Sequence, residues 1–257
     1  MTQELIINGI DLSEFPHRAA EFHKIHTHPN RRPKDAATLI ILDRAKDGQV
    51  RILMGKRHMK HKFMPGRFVF PGGRVDQTDS RVPYVDDYHP AVLKKMTASM
   101  KGPKSAARAR ALAIAAIRET YEEAGIFIGR GDTVGAPAYG DWQAFKERRI
   151  APSLESFFLI CRAITPPKRI RRFDTRFLAI WSDAIADQLP GGNGPTEELQ
   201  ELHWLTIGEA KKLEMPFITE LVLTDLENRL RENPELDPNH PAPFIYRKHG
   251  GMQVDYI

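Results

Sequence analysis

Cysteine is almost absent from this 257-residue chain: Cys161 stands alone, which excludes an intramolecular disulfide and a cysteine-built zinc site. No run of about 18 apolar residues occurs, so no transmembrane helix is expected. Met1 to Ile7 lack the basic start, apolar core and small-residue cleavage site of a secretory signal. Val254 to Ile257 match no retention, peroxisomal or prenylation signal. Internal repeats and low-complexity tracts are also missing. The expectation is a soluble, cytoplasmic protein without a membrane partner.

Composition is 41% hydrophobic and 28% charged, enough for one well-cored domain with extra elements or two small ones. The net charge of +5 reads either as attraction for anionic substrates or as ordinary surface charge. Two basic runs, Lys146 to Arg149 and Lys168 to Arg172, could hold a phosphate or touch RNA. They are read as solvated faces, and nucleic acid is not expected as a partner. His23, His26 and His28 lie in a polar stretch without helical periodicity and are read as a surface cluster.

Residues 1–35 read as an irregular arm, and 36–232 as one α/β domain. The tail, 233–257, opens on a proline-rich, irregular stretch. Ala37 to Leu42 and Val50 to Met54 form a hairpin pattern, and Arg67 to Phe70 a third short strand stopped by Pro71-Gly72-Gly73. Phe177 to Trp181 and Leu202 to Leu205 are further strands, with a Pro190 to Pro195 loop between them. Ala91 to Met100 reads as a short helix. Pro216 to Leu230 reads as an amphipathic one, with Ile218, Val222, Leu226 and Leu230 on its apolar side.

The strongest helix pattern is Ser105 to Ala124, free of glycine and proline and closed by Gly125 in a C-cap position. Ala113, Ala116, Ile117, Thr120, Tyr121 and Ala124 recur at helical spacing as one buried face. At its end, Glu119, Glu122 and Glu123 are three and four residues apart, so they share a face turned away from the alanines. Three carboxylates there repel one another at the negative end of the helix dipole. The bland reading is a solvated acidic face. The chemical reading is a set of hard oxygen ligands for Mg2+ or Mn2+.

The complete pattern favours chemistry. Phe70-Pro71-Gly72-Gly73, followed later by Arg118-Glu119-x-x-Glu122-Glu123-x-Gly125-Ile126, resembles the signature box of the Nudix hydrolases, Gly-x5-Glu-x7-Arg-Glu-x-x-Glu-Glu-x-Gly-apolar. The resemblance implies a mixed β-sheet sandwiched between helices, with the box as loop–helix–loop. It implies Glu119, Glu122, Glu123 and the Gly72 carbonyl as metal ligands. Glu119 is alternatively the base that activates water, oriented by Arg118. A further acidic ligand would come from Glu197, Glu198 or Glu201, among which the sequence does not choose.

The chain departs from the pattern in one respect. Gly73 and Glu119 lie 46 positions apart instead of 15, an insertion of 31 residues placed at about 76–104. The middle glutamate of the box has no clean equivalent: counting forward from Gly73 reaches Asp79, and counting back from Arg118 reaches Arg110. The insertion is expected to pack beside the site as a partial lid or substrate wall, anchored by Val82, Tyr84, Val92 and Leu93.

Ahead of the box, residues 53–73 resemble the extra motif of coenzyme A diphosphatases, Leu-Leu-Thr-x-Arg-(Ser/Ala)-x3-Arg-x3-Gly-x3-Phe-Pro-Gly-Gly. Leu53, Arg57, Gly66 and Phe70 to Gly73 fall at matching spacings, while Met54, Gly55, His58 and Lys62 replace motif residues. Arg57, Lys62 and Arg67 are the candidate ligands for substrate phosphates, Arg57 through a bidentate contact. The resemblance implies hydrolysis of a small-molecule diphosphate, coenzyme A or an acyl derivative. The alternatives are another nucleoside diphosphate compound such as NADH, a nucleotide sugar or capped RNA, or a non-catalytic regulator that binds a nucleotide or RNA.

Overall fold

The computed structural model describes residues 6–7, 10–11, 28–60, 65–100, 105–131, 135, 137, 140–249 and 251–257. Lys62, His23 and His26 lie outside them, as does the end of the insertion, residues 101–104. Ile6–Ile7 (β1) and Ile10–Asp11 (β2) pair as a small antiparallel ladder.

The apolar run expected to be a strand is Lys34–Arg44 (β3), and Val50–Arg57 (β4) returns antiparallel to it. Between them Gly48 is left-handed, its N–H donates to the Ala45 carbonyl, and Asp47 accepts from the Gln49 N–H. Phe68–Val69 (β5) pairs with β4, and Gly72–Arg74 (β6) pairs with the start of β3. Ile126–Ile128 (β7), Arg130–Gly131 (β8) and Ile150–Ala151 (β9) are short. Phe158–Ile164 (β10) and Phe173–Trp181 (β11) form a long antiparallel pair, and β11 runs parallel to β3. Ile185–Gln188 (β12) pairs with β7, and Leu199–Thr206 (β13) forms the edge beside β4.

Pro243–Lys248 (β14) and Gly251–Tyr256 (β15) correct the expectation of a tail. They form a hairpin whose first strand pairs in parallel with β10, completing a nine-stranded mixed sheet among the described residues. Within it, Phe244, Ile245 and Met252 bury apolar side chains, enough to hold a terminal hairpin in place.

Among the described residues five helices flank this sheet: Pro90–Thr97 (α1), Ala106–Ala124 (α2), Trp142–Glu147 (α3), Ile207–Ala210 (α4) and Phe217–Glu232 (α5). β3 is buried on both faces, and its alternation sorts the core. Leu39 and Ile41 face α1, α2 and α3, while Ile40 and Leu42 face α4 and α5. None of the described helices is long and apolar enough to cross a membrane.

Two helix expectations need correction. α2 is buried around almost its whole circumference, with Ala111, Ala115 and Arg118 buried as well as Ala113 and Ile117. Small alanines let it lie closely between the sheet and the Phe127 and Phe145 layer, so its carboxylates do not face open water. On α5 the buried face is centred on Leu221 to Leu226, with Ile218 and Leu230 only partly buried. Arg229 displaces that stripe: buried, it pairs with Asp225 and donates to the carbonyls of Leu159, Ile160 and Pro241.

The described residues of the segment read as an insertion, 76–100, are folded into the domain. Val82 and Val92 are buried in the core, with Tyr84 and Leu93 packed against it. α1 starts at Pro90 behind His89, whose Nδ1 accepts from the Ala91 N–H. Asp86 accepts from the Ser153 hydroxyl and from the N–H groups of Leu154 and Glu155. Arg110 on α2 holds Asp87 through two hydrogen bonds.

Candidate active site

Ser105 caps the start of α2 by accepting from the Arg108 N–H, and Gly125, left-handed at φ 68°, closes its end. The carbonyls left open by that last turn are taken up by the 190–196 loop. The Gly194 N–H donates to the Glu123 carbonyl, and the Thr196 N–H and hydroxyl both donate to the Glu122 carbonyl. Gly194 lies so close to the helix that a Cβ there would collide with the Glu122 backbone. The turn carrying the glutamates is therefore clamped from outside.

Arg118 is the hub. Its side chain is 7% exposed, and its Nε and Nη2 donate to the two oxygens of fully buried Asp79 at 3.0 and 3.1 Å. Nη1 reaches Glu119 at 3.0 Å and Glu122 at 2.8 Å, and Nη2 also donates to the Arg74 carbonyl. Asp79 thus serves as the acid that holds Arg118. Counting forward from Gly73 reaches this residue, whereas Arg110, reached by counting back, pairs with Asp87 instead.

Glu123 points the other way. It accepts from the Gly72 N–H at 2.9 Å and faces the Arg57 guanidinium at 3.7 Å. β6 brings Gly72 and Gly73 to the helix by pairing with Ala37 and Thr38 of β3. A Cβ on Gly73 would collide with the Glu119 carboxylate, so glycine is what lets that carboxylate lie against the β6 backbone.

Burial dominates the electrostatics. It pushes the Glu123 carboxyl up to about 8, with Arg57 and the Gly72 N–H opposing and Glu119 and Glu198 adding to the rise. Glu122 is pushed up to about 7 by burial against the pull of Arg118. Glu119 is raised for the same reason. Arg118, despite its own burial, is held above the usual guanidinium range by Asp79 and Glu119.

The expected site residues are only partly brought together. Arg57 stands at the glutamates, whereas Arg67 pairs at 3.0 Å with Glu214, in the loop before α5. Of the three candidates for a further acid, Glu201 pairs with Lys56 and Glu197 is exposed. Glu198 is the one whose charge acts on both Glu119 and Glu123. Sequence reasoning missed the clamp by Gly194 and Thr196, for which only the turn composition of 190–196 gave a signal.

Among the described residues, no three acidic, histidine or cysteine groups converge into a ready-made cation cage. Glu119 and Glu122 are held by Arg118, and Glu123 by the Gly72 N–H and Arg57. The donors nevertheless fit a hard divalent cation. Glu123 is a buried carboxylate that ionises against burial and two neighbouring acids, and an oxygen-seeking cation relieves that cost.

A family model of the NUDT19 Nudix domain matches residues 31–166. The Caenorhabditis elegans protein named putative nudix hydrolase 7 is 26% identical over 166 residues, covering 60% of this chain and 46% of that protein. The chain thus spans about half the length of that curated relative. A NUDIX hydrolase from Alicyclobacillus acidocaldarius shares the fold, with TM-score 0.51, 23% identity, and coverage of 80% of this chain and 86% of that one. The NUDIX domain of Shewanella oneidensis NrtR, solved with ADP ribose, matches at TM-score 0.43 and 12% identity over 78% of this chain and 90% of that one.

Proposed function

Because this chain belongs to the Nudix family, we propose that it is a cytoplasmic, metal-dependent diphosphatase that cleaves a nucleoside diphosphate derivative, with coenzyme A or acyl-coenzyme A as its substrate. The observation that carries the reading is the joining of Arg118 to Asp79, Glu119 and Glu122, with Glu123, Gly72 and Arg57 beside it.

In this reading Glu119, Glu122, Glu123 and the Gly72 carbonyl hold Mg2+ or Mn2+, and Glu198 is the further acid. Such a cation, when bound, neutralises the diphosphate and acidifies a water. The protein's own contributions are separable. Arg118 orients Glu119, which accepts the proton of the attacking water as its oxygen bonds to phosphorus and the bridging P–O bond breaks. Arg57 meets a substrate phosphate through charge-assisted hydrogen bonds, and Lys62 and Arg67 are further candidates for phosphate contact. The spacing match from Leu53 through Gly73 supports coenzyme A, cut to phosphopantetheine and 3′-phosphorylated adenosine monophosphate.

The test is a side-by-side assay of purified protein with Mg2+ or Mn2+ on coenzyme A, acetyl-coenzyme A, NADH and a nucleotide sugar. Cleavage of the coenzyme A compounds, abolished by chelator, is expected. Brisk turnover of NADH or the nucleotide sugar with coenzyme A untouched would overturn the substrate and leave the reaction class standing. No turnover of any diphosphate would overturn both.

A further inference from the structure

One end of the main sheet gathers positive charge from three separate segments. The approach to β3 supplies Arg31, Arg32 and Lys34, all exposed. The β10–β11 turn supplies Lys168, Arg169, Arg171 and Arg172, and the β14–β15 turn supplies Arg247 and Lys248.

Strand register makes these segments neighbours. The Lys34 N–H donates to the Arg172 carbonyl at 2.9 Å, and the Arg172 guanidinium returns to the Asn30 side chain and the Arg31 carbonyl. β14 runs parallel to β10, with Ala163 opposite Ile245, so both turns leave the sheet at the same rim. Burial and then the like charge of Arg247 hold Arg169 below the usual guanidinium range.

Segments 28–34, 165–173 and 247–253 contain no aspartate or glutamate. The chain has 38 lysines and arginines against 33 acids; without these nine cations, 29 remain against 33, a net of −4. The whole positive excess of the protein is concentrated on this rim. Ordinary surface charge would be spread among acids, and it would not cost the folded state this degree of self-repulsion.

At the tip of the β10–β11 turn stands Ile170, 51% exposed and flanked by Arg169 and Arg171. An aliphatic side chain displayed within a ring of cations suits an interface that is anionic outside and apolar beneath. Nucleic acid would be served better by several exposed rings for base stacking; Phe173, the one Phe, Tyr or Trp of these segments, is half-buried, which leaves His249 as their one exposed aromatic ring. We propose that this rim docks on an anionic lipid surface, its cations on the headgroups and Ile170 entering the interface.

The 257-residue chain is sedimented with phosphatidylcholine vesicles that contain or lack phosphatidylserine, at low and high salt, beside a single-stranded RNA oligonucleotide. Binding to the phosphatidylserine vesicles, weakened by salt, is expected. Combining Lys168→Gln, Arg171→Gln and Lys248→Gln removes three cations and should weaken it about a hundredfold, at roughly fivefold per cation. Ile170→Ser, with charge unchanged, should weaken it several-fold. No binding at low salt, or full binding by the triple variant, would overturn the proposal. So would RNA binding that competes with the vesicles while Ile170→Ser changes nothing.

Discussion

Asp79→Asn isolates the contact that ties the insertion to the reactive helix. The substitution keeps shape and one carbonyl oxygen but removes the anion that faces the Arg118 guanidinium. It also turns an amide nitrogen toward Arg118 or toward the Asp76 N–H, which Asp79 now accepts at 2.8 Å. With side chains 7% and 0% exposed, Arg118 and Asp79 form a buried pair, and removing one partner of such a pair costs about 3–5 kcal/mol. Glu119 and Glu122 stay on Arg118 Nη1, so the loss should fall at the lower end, about 3 kcal/mol. Urea unfolding of wild type, Asp79→Asn, Arg118→Met and the double variant closes a thermodynamic cycle. Asp79→Asn should lower the midpoint at unchanged slope, and Arg118→Met should remove most of its further effect. If Asp79→Asn unfolds within about 0.5 kcal/mol of wild type, or if the two losses simply add, the pair does not hold the loop and the reasoning fails.

Glu123→Gln and Glu122→Gln should each lower metal-supported turnover by about a hundredfold or more, read in steady-state assays against wild type with excess Mg2+. Gly73→Ala should displace the Glu119 carboxylate, cutting kcat while the thermal midpoint moves little, because β6 pairing needs only the Gly73 backbone. Arg57→Ala should reduce coenzyme A cleavage about tenfold to a hundredfold, and more than cleavage of a nucleotide sugar, in parallel kcat/KM measurements. Lys95 on α1 donates to the His240 carbonyl at 2.7 Å, and burial lowers its ammonium to about 8. Its folded-state proton affinity is below the unfolded one, so its charge costs stability below pH 8, and that cost fades as pH rises toward 10.5. Lys95→Met should therefore gain on wild type at pH 7 and lose that advantage by pH 10, in urea unfolding at both pH values.

The parts of the fold legible in the sequence are those where one local pattern sets the outcome. β3 is apolar on both faces and reads as a buried strand. Residues 105–125 carry cap, helix former and stop in order, and the structure ends that helix where Gly125 stands. The misreadings arise where distant parts decide. The β14–β15 hairpin is held by the edge of β10, a distant partner, although Gly250-Gly251 between Phe244 to Tyr246 and the alternating Met252 to Tyr256 is a local hairpin signal that the tail reading passed over. α2 reads as amphipathic, yet the Phe127 and Phe145 layer and the insertion cover its second side. The strand reading of β11 did not foresee charge in its interior. Arg162 and Arg176 are both buried on Asp174, an arrangement that requires β10 and β11 to be side by side.

On the reading of residues 76–104 as an insertion, an interrupted signature keeps its geometry here. The added length alone costs little, because loop-closure entropy grows only as the logarithm of chain length, about 0.6 kcal/mol per doubling. What matters is whether the two severed ends are held. Gly73 is fixed by pairing with Ala37 of β3, and the glutamate turn by the 190–196 loop. Five residues separate Gly73 from Asp79, the spacing of Gly-x5-Glu, and Asp79 then binds Arg118 immediately before Glu119. The first half of the box pattern is thereby closed onto the second across space, through Asp79 and Arg118. From Ser80 onward the chain is free to do other work, and Val82, Tyr84, Val92 and Leu93 commit it to the core. Asp79 is consequently where folding of the insertion and alignment of Arg118 become one event, so a change that loosens this segment should reach Glu119 and Glu122 through a single buried guanidinium.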